Sequence, residues 1–359
     1  MQNQTHGLWL PMATKEIKMK KLLNTLYIQT QGTYLRQEGE TVVAERERNV
    51  VARIPIHTLS GIICFGNVLC SPFLLGLCAE RGVCVSFLTE AGRFLARVQG
   101  PVSGNVLLRL AQMRAYENKE KKGGIARSFV IGKVMNARHV LQRRMRDHGE
   151  TPLLREANEA MLDVIRRLRD SEPDAARVRG LEGEAGAVYF GAFNDLLLPG
   201  REAISISSRN RRPPTDPTNA LLSYLYTLLA HDCRGALEGV GLDPQVGYLH
   251  EVRSGRPSLA LDLMEEFRAV LADRMAISLI NLRQLEVKDF KVTESGAVEM
   301  SENARKTVLL AWQKKKQEQV MHPFLEERVP IGLLPHVQAL LLARYLRGDL
   351  DAYPPYIQK

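Results

Sequence analysis

Near residue 100 the apolar residues of this 359-residue chain change their spacing from two to between three and four. One element cannot satisfy both periods, because a strand turns successive side chains to opposite faces whereas a helix returns to the same face about every 3.6 residues. From Leu22 to about Gly100 the segments TLYIQ, TYLRQ, TVVAER, RIPIHTLSGIICFG, VCVSFLT and RFLARVQG are short, rich in β-branched and aromatic residues, and punctuated by QG, EG, GN, RG and AG turns. A single helix is expected around Ser71 to Arg81, and LYIQTQGTYLRQ alternates like an opening hairpin. Beyond Pro101 the stretches beginning NVLLRLAQ, IARSFVIGKV, LLREANEAM, NALLSYLYTLL and LLPHVQALLL carry apolar residues at helical spacing. The fold class expected is therefore α+β and multidomain, with a β-rich, β-sandwich-like domain over 19–103 and a larger all-α domain over 104–359. Within the second, LEVKDFKVTESGAVEMS is expected to form a small hairpin between Gln284 and Met300.

Residues 1–18 have no periodicity and precede an internal Met19, so they are read as an extended start or tag without fixed structure. Lys20 and Lys21 followed by Leu22 and Leu23 imitate the basic start of an export signal, but Asn24, Thr25, Gln29 and Gln31 break the apolar run that should follow. No uncharged apolar stretch reaches membrane-spanning length, and a cytoplasmic location is expected. The five cysteines include no CxxC pair, which favours reduced, buried thiols over a structural zinc site. With 49 Lys and Arg against 40 Asp and Glu, the formal charge of +9 suits a polyanionic partner, since each phosphate neutralised releases condensed counterions.

The stretch YLHEVRSGRPSLALDLMEEFRA, Tyr248 to Ala269, concentrates candidate chemistry. Ser254 to Ser258 form a loop feeding a helix whose apolar face is Leu259, Leu263, Met264, Phe267, Val270 and Leu271. Asp262 and Glu266 border that face one turn apart, and Glu265 lies three residues from Asp262. Like charges so spaced repel, and a divalent cation between them converts repulsion into attraction. Mg²⁺ and Mn²⁺ prefer carboxylate oxygens, and Mn²⁺ also accepts an imidazole such as His250. Spacing alone leans toward Asp262 with Glu266, and a solvated acidic face paired with Arg268 or Arg274 would use the same residues.

Two further stretches matter. RGLEGEAGAVYFG places Glu182 and Glu184 among Gly180, Gly183 and Gly186, a pattern that also suits close helix packing. SRNRRPPTDPTNALLS sets Arg209, Arg211 and Arg212 on a loop stiffened by Pro213 and Pro214, ahead of a helix start at Asp216 to Asn219. Guanidinium groups on a stiff loop suit phosphate contacts. Lys133, Arg138, Arg143, Arg144 and Arg146 make one basic helix, and Lys314 to Lys316 form another cluster.

In order, LEGEAGAVYF, RNRRPPTDPTNALLSYLYTLL and GYLHEVRSGRPSLALDLMEEFRA resemble the signature blocks of CRISPR-associated protein one, the integrase family that inserts new spacers into CRISPR arrays. The closing LARYLRGDLDAYPPYIQ is similar to members found with type I-C systems. The resemblance implies that the Glu of the EG pair, Glu182, the His after GY, His250, and the D-x-x-E before FR, Asp262 and Glu265, are the catalytic metal ligands for Mg²⁺ or Mn²⁺, with Glu266 a bystander. It implies a protospacer 3′-OH attacking a phosphodiester at the repeat edge, with hydrolysis when water replaces the hydroxyl. It also implies a homodimer through the β-rich domain, a small ferredoxin-like partner, CRISPR-associated protein two, and double-stranded DNA. Arg138, Arg143, Arg209, Arg211, Arg212, Asn219 and Arg268 are the DNA contacts expected. The competing reading is a non-catalytic DNA-binding scaffold that keeps the basic surfaces, and a third is a helical metallohydrolase of small substrates, which leaves the arginine loop unexplained.

Overall fold

The computed structural model describes residues 24–90, 94–98, 100, 106–170, 172, 174–206, 208–210 and 213–358, so the expectations for residues 1–18 and for the domain boundary at 103/104 fall outside the described residues. The N-terminal part runs β1 (Asn24–Ile28), β2 (Thr33–Glu38), β3 (Thr41–Arg46), β4 (Asn49–Pro55), β5 (Leu59–Phe65), β6 (Val68–Cys70), α1 (Pro72–Glu80), β7 (Cys84–Leu88) and β8 (Phe94–Val98). These strands make two four-stranded sheets of order β1-β5-β7-β8 and β4-β3-β2-β6. The helix expected at Ser71 to Arg81 is α1, with the Ser71 hydroxyl accepting from the Leu74 amide as its N-cap.

The opening hairpin does not form. β1 pairs in parallel with β5, whereas β2 pairs with β3 and β6 in the other sheet. The turn between β1 and β2 is tied instead to the β5–β6 connection: Gln31 Nε2 donates to Phe65 O at 3.0 Å and Gly32 N to Asn67 O at 2.9 Å. Alternation identified both strands but could not name their partners.

The apolar run Ile62-Ile63-Cys64-Phe65 explains how the two parts join. Its even-numbered residues pack with Leu35, Val42, Leu74 and Val85 between the sheets and α1, while Ile63 and Phe65 enter the core of the helical part. A strand covered on both faces reads as an unbroken apolar stretch. The first sheet is thus shared between two cores.

The helical part contains α2 (Val106–Glu117), α3 (Lys119–His148), α4 (Pro152–Asp170), α5 (Ala175–Gly191), α6 (Pro217–Val240), α7 (Ser258–Glu265), α8 (Arg274–Asn281), β9 (Phe290–Val292), β10 (Val298–Met300), α9 (Glu302–Gln317), β11 (Gln319–Met321), β12 (Arg328–Pro330) and α10 (Leu334–Arg347). It is not all-α: β9 and β10 form the hairpin expected near Gln284 to Met300, and β11 with β12 forms a second. Three- and four-residue periodicity in the flanking helices does not register three-residue strands. α3 spans 30 residues and packs on α4, α5 and α7, which makes it the central rod.

Across the junction, Ser86 Oγ lies 3.2 Å from His231 Nδ1, Arg97 pairs with Glu238, and Gln313 Nε2 donates to Thr25 O at 2.7 Å. Burial pushes the His231 imidazole down to about 4, so it is neutral when folded. An unfolded histidine takes up its proton near 6.5, so this group's stabilising effect is intact above that value and is lost as pH falls from 6.5 toward 4. Urea unfolding at pH near 7.5 and near 5 is expected to show a smaller acid loss for His231→Asn than for the parent, by roughly 2 kcal/mol.

Candidate active site

The helix carrying the three acids is buried on all sides: Asp262, Glu265 and Glu266 are at most 1% exposed. Side chains at i and i+4 share a stripe of a helix, yet here Asp262 and Glu266 turn to different partners. They do not point into a common cleft.

Asp262 is wrapped by the preceding loop. Its Oδ2 accepts from the amides of Tyr248 at 2.6 Å and Leu249 at 3.0 Å. Its Oδ1 accepts from the His250 amide at 2.9 Å and lies 2.7 Å from His250 Nδ1. An ionised carboxylate can only accept, so Nδ1 carries a hydrogen, and in the neutral ring the lone pair is then on Nε2. Asp262 therefore orients His250 from behind, with both oxygens engaged by the loop, whereas Glu265 faces the other candidates. The loop approaches this closely because residue 247 is glycine: a Cβ there would meet Ser258 Cβ at 2.6 Å and Asp262 Oδ2 at 2.9 Å.

Glu266 faces the opposite way. Its Oε1 accepts from Tyr353 Oη at 2.6 Å and its Oε2 from Gln338 Nε2 and the Tyr356 amide, both at 2.8 Å. Asn136 of α3 donates to Glu266 O and Tyr356 O and accepts from Gln358 N. Burial pushes the Glu266 carboxyl up to about 8 despite those donors. It is a clamp for the segment after α10.

Glu265 is the carboxylate that meets the other candidates. Its Oε1 lies 3.1 Å from Arg268 Nη2 and 3.7 Å from His250 Nε2, and its Oε2 lies 2.9 Å from Lys133 Nζ. Burial alone would raise its pKa, but the Arg268 and Lys133 cations outweigh that and hold it down to about 2. Lys133 Nζ also contacts Glu182 Oε1. The ammonium thus sits between Glu182 of α5 and Glu265 of α7, beside the lone-pair nitrogen of His250.

Glu182 borders the buried stripe Val178, Leu181, Ala185 and Tyr189 of α5, whose N-terminus is capped by Asp174. Gly180, Gly183 and Gly186 do not serve close packing: a Cβ on any of them would meet nothing within 4 Å. Gly183 and Gly186 border a cleft of about 660 Å³ lined also by Lys133, Glu182, Tyr226 and Arg268, among others. Glu184 turns away to pair with Arg167.

The basic candidates separate. Arg211 and Arg212 lie outside the described residues. Arg209 lines the cleft, with Nη1 2.5 Å from Asn219 Oδ1 and its guanidinium 5.2 Å from the Tyr226 ring centre. Asn219 is fully buried and bonds Ser208 O, the Asn210 amide and Asp216, so it shapes the arginine loop and offers DNA no surface. Arg268 is not a surface contact either: it is buried against Glu265 and stands 5.0 Å from the same Tyr226 ring. On α3, Arg143 is exposed and pairs with Asp147, while Arg138 is half-buried.

Spacing also missed residues. A π-helical stretch, Arg268–Asp273, joins α7 to α8, and both of its ends line the cleft. Asp273 accepts from Tyr226 Oη at 2.7 Å, and burial pushes its carboxyl up to about 6.

Among the described residues no three His, Cys, Asp or Glu side chains converge tightly enough to hold a metal ion as they stand. The donor set nonetheless fits a hard divalent cation, because Glu182, Glu265 and the Nε2 face of His250 surround a position taken by a monovalent ammonium.

Two carboxylates and an oriented imidazole stand beside an arginine-lined cleft, on a fold of two sheets and packed helices. Comparison with known proteins gives the family. Residues 26–314 match the family model described as CRISPR associated protein Cas1. The chain is 52% identical over 342 residues to "CRISPR-associated endonuclease Cas1 1" of Chlorobaculum tepidum, covering 94% of this chain and 99% of that protein. It is 53% identical over 347 residues to "CRISPR-associated endonuclease Cas1 2" of Rhodospirillum rubrum, covering 95% and 100%. The fold is that of TM1797, a CAS1 protein from Thermotoga maritima, with a TM-score of 0.79 at 23% identity over 92% of this chain and 99% of that one. A casposase bound to integration product is also similar, with a TM-score of 0.79 at 25% identity over 93% and 94%. The chain belongs to the Cas1 family of CRISPR-associated nucleases.

Because residue 247 has no room for a methyl group, Gly247→Ala is expected to push the Tyr248–His250 loop off Asp262. The cost should be about 1–3 kcal/mol in chemical denaturation, the range typical of overpacking.

Proposed function

We propose that the protein is a metal-dependent DNA integrase and endonuclease of CRISPR adaptation, of the type I-C kind, joining protospacer 3′-OH ends to the array by transesterification. The observation that carries this reading is the opposition of Glu182 and Glu265 across a cation, with the His250 lone pair beside them. Glu182, His250 and Glu265 would hold Mg²⁺ or Mn²⁺, and Asp262 would fix the ring of His250 through Nδ1. The ion would supply charge stabilisation at the reacting phosphate.

The chain's own groups supply the rest. Arg268 neutralises Glu265 and keeps it ionised, and Arg209 presents a guanidinium on the cleft wall for a strand's phosphate. With water in place of the 3′-OH, the same arrangement cleaves a strand. The likeness to a casposase bound to integration product supports strand joining, and the double-stranded partners proposed are protospacer and array DNA. A Cas6-RT-Cas1–Cas2 complex shares the fold, with a TM-score of 0.80 at 21% identity over 97% of this chain and 38% of that one. It motivates the small CRISPR-associated protein two as partner, with a homodimer of this chain on either side.

Purified protein, its small partner, a protospacer duplex and a supercoiled array plasmid test the reading in Mn²⁺. Glu182→Ala and His250→Ala are each expected to lower strand joining at least about 100-fold, the scale of losing several kcal/mol of phosphate charge stabilisation. Joining at the parent rate by both variants would remove these residues from the site. DNA binding with a steep salt dependence and no Mn²⁺-dependent product in the parent would favour the scaffold reading.

A further inference from the structure

We propose that Lys133 is a built-in occupant of the metal site: its ammonium bridges Glu182 and Glu265 in the ion-free protein and has to withdraw before a divalent cation binds. This rests on the metal-dependent reading above and concerns how the site is kept folded and ready.

Three observations carry it. First, Lys133 contacts both carboxylates and is only 16% exposed, so it fills the position their charges converge on. An uncompensated pair of carboxylates there would repel, and burial of Glu265 would magnify the repulsion.

Second, the lysine is delivered by a fixed backbone. Its neighbour Gly132 lies so close to the segment after α10 that a Cβ would meet Pro355 Cβ at 3.1 Å and Glu266 Cγ at 3.2 Å. One turn on, Asn136 ties α3 to Glu266 O and Tyr356 O. The root of the side chain is locked, and only its stem can move.

Third, the rest of the site tolerates its departure. Arg268 holds Glu265 at 3.1 Å independently, and Glu182 is 27% exposed and open to water. Lys133 itself lines the cleft, together with Ser208 and Arg209, so a lysine swung outward enters the space where a strand's phosphate would lie. A flexible four-carbon stem with a point charge suits such a move, whereas the planar, buried Arg268 does not. The ammonium would thus exchange a carboxylate pair for a phosphate.

If Lys133 competes with the ion, removing its charge tightens ion binding, a gain that a merely structural lysine would not give. Isothermal titration of the full chain with MnCl₂ is compared for the parent, Lys133→Met, Lys133→Gln, Lys133→Arg and Glu182→Gln, each first confirmed as folded by circular dichroism. Lys133→Met, which keeps the aliphatic stem, is expected to lower the Mn²⁺ Kd about tenfold, with Lys133→Gln in the same direction and Lys133→Arg no tighter than the parent. The ion-free Met variant is expected to melt below the parent and to regain the difference in saturating Mn²⁺. A Kd unchanged or raised in both neutral variants overturns the inference while leaving the site reading intact, provided the parent binds and Glu182→Gln does not. Absence of saturable binding in the parent overturns both. Should Lys133→Met fail to fold, Lys133→Gln decides on the same criterion.

Discussion

Three carboxylates within five residues of a helix buried on every side set the terms for the rest of this molecule. Water cannot solvate them, so the protein must, and it does so in three chemically distinct ways. Asp262 takes backbone amides and an imidazole, Glu265 takes cations, and Glu266 takes neutral donors. The outcome is a pair of adjacent glutamates driven apart in acidity, one held near 2 and the other pushed toward 8. Separate environments of this kind are how one fold assigns different tasks to identical groups.

That division decides what was legible in the residues alone. The change of period near residue 100 was sufficient for two architectures, whereas the cover on both faces of the run Ile62 to Phe65 emerged only with the fold. Strand partners were not legible, because the alternation of β1 and β2 is satisfied equally by a hairpin and by two different sheets. Among the acids, helical spacing favoured Asp262 with Glu266, which the fold sends to separate partners. Glu265 emerged only through the resemblance to a family, since Lys133, which links it to Glu182, comes from distant α3, and sequence distance conceals that contact. Lys133 was hidden for the related reason that a basic run along a long helix looks solvated until its rotation against the core is known.

Glycines illustrate the same limit from the other side. In α5 they suggested tight packing, yet they border open space, and the helix uses them to hollow out the wall beside Glu182. Gly132 and Gly247, whose spacing gave no sign of it, are two of the positions where close approach is required. Tyr226 joins the two basic elements of the cleft, with Arg209 and Arg268 both against its ring and its hydroxyl on Asp273. One aromatic side chain therefore couples the arginine loop to the helix that bears Glu265.

The clamp on Glu266 also bears on how the molecule comes into being. Tyr356 lies 90 residues further along the chain than the carboxylate it caps, and Gln358 reaches back 222 residues to Asn136. While the chain is being synthesised, α7 leaves the ribosome long before those groups exist, and a glutamate destined for the interior has no donors to receive it. Completion of the packing around the helix that bears Glu265 is thereby deferred until Tyr353 to Gln358 have emerged. A nascent chain lacking them would carry the acids of its site without the means to bury them.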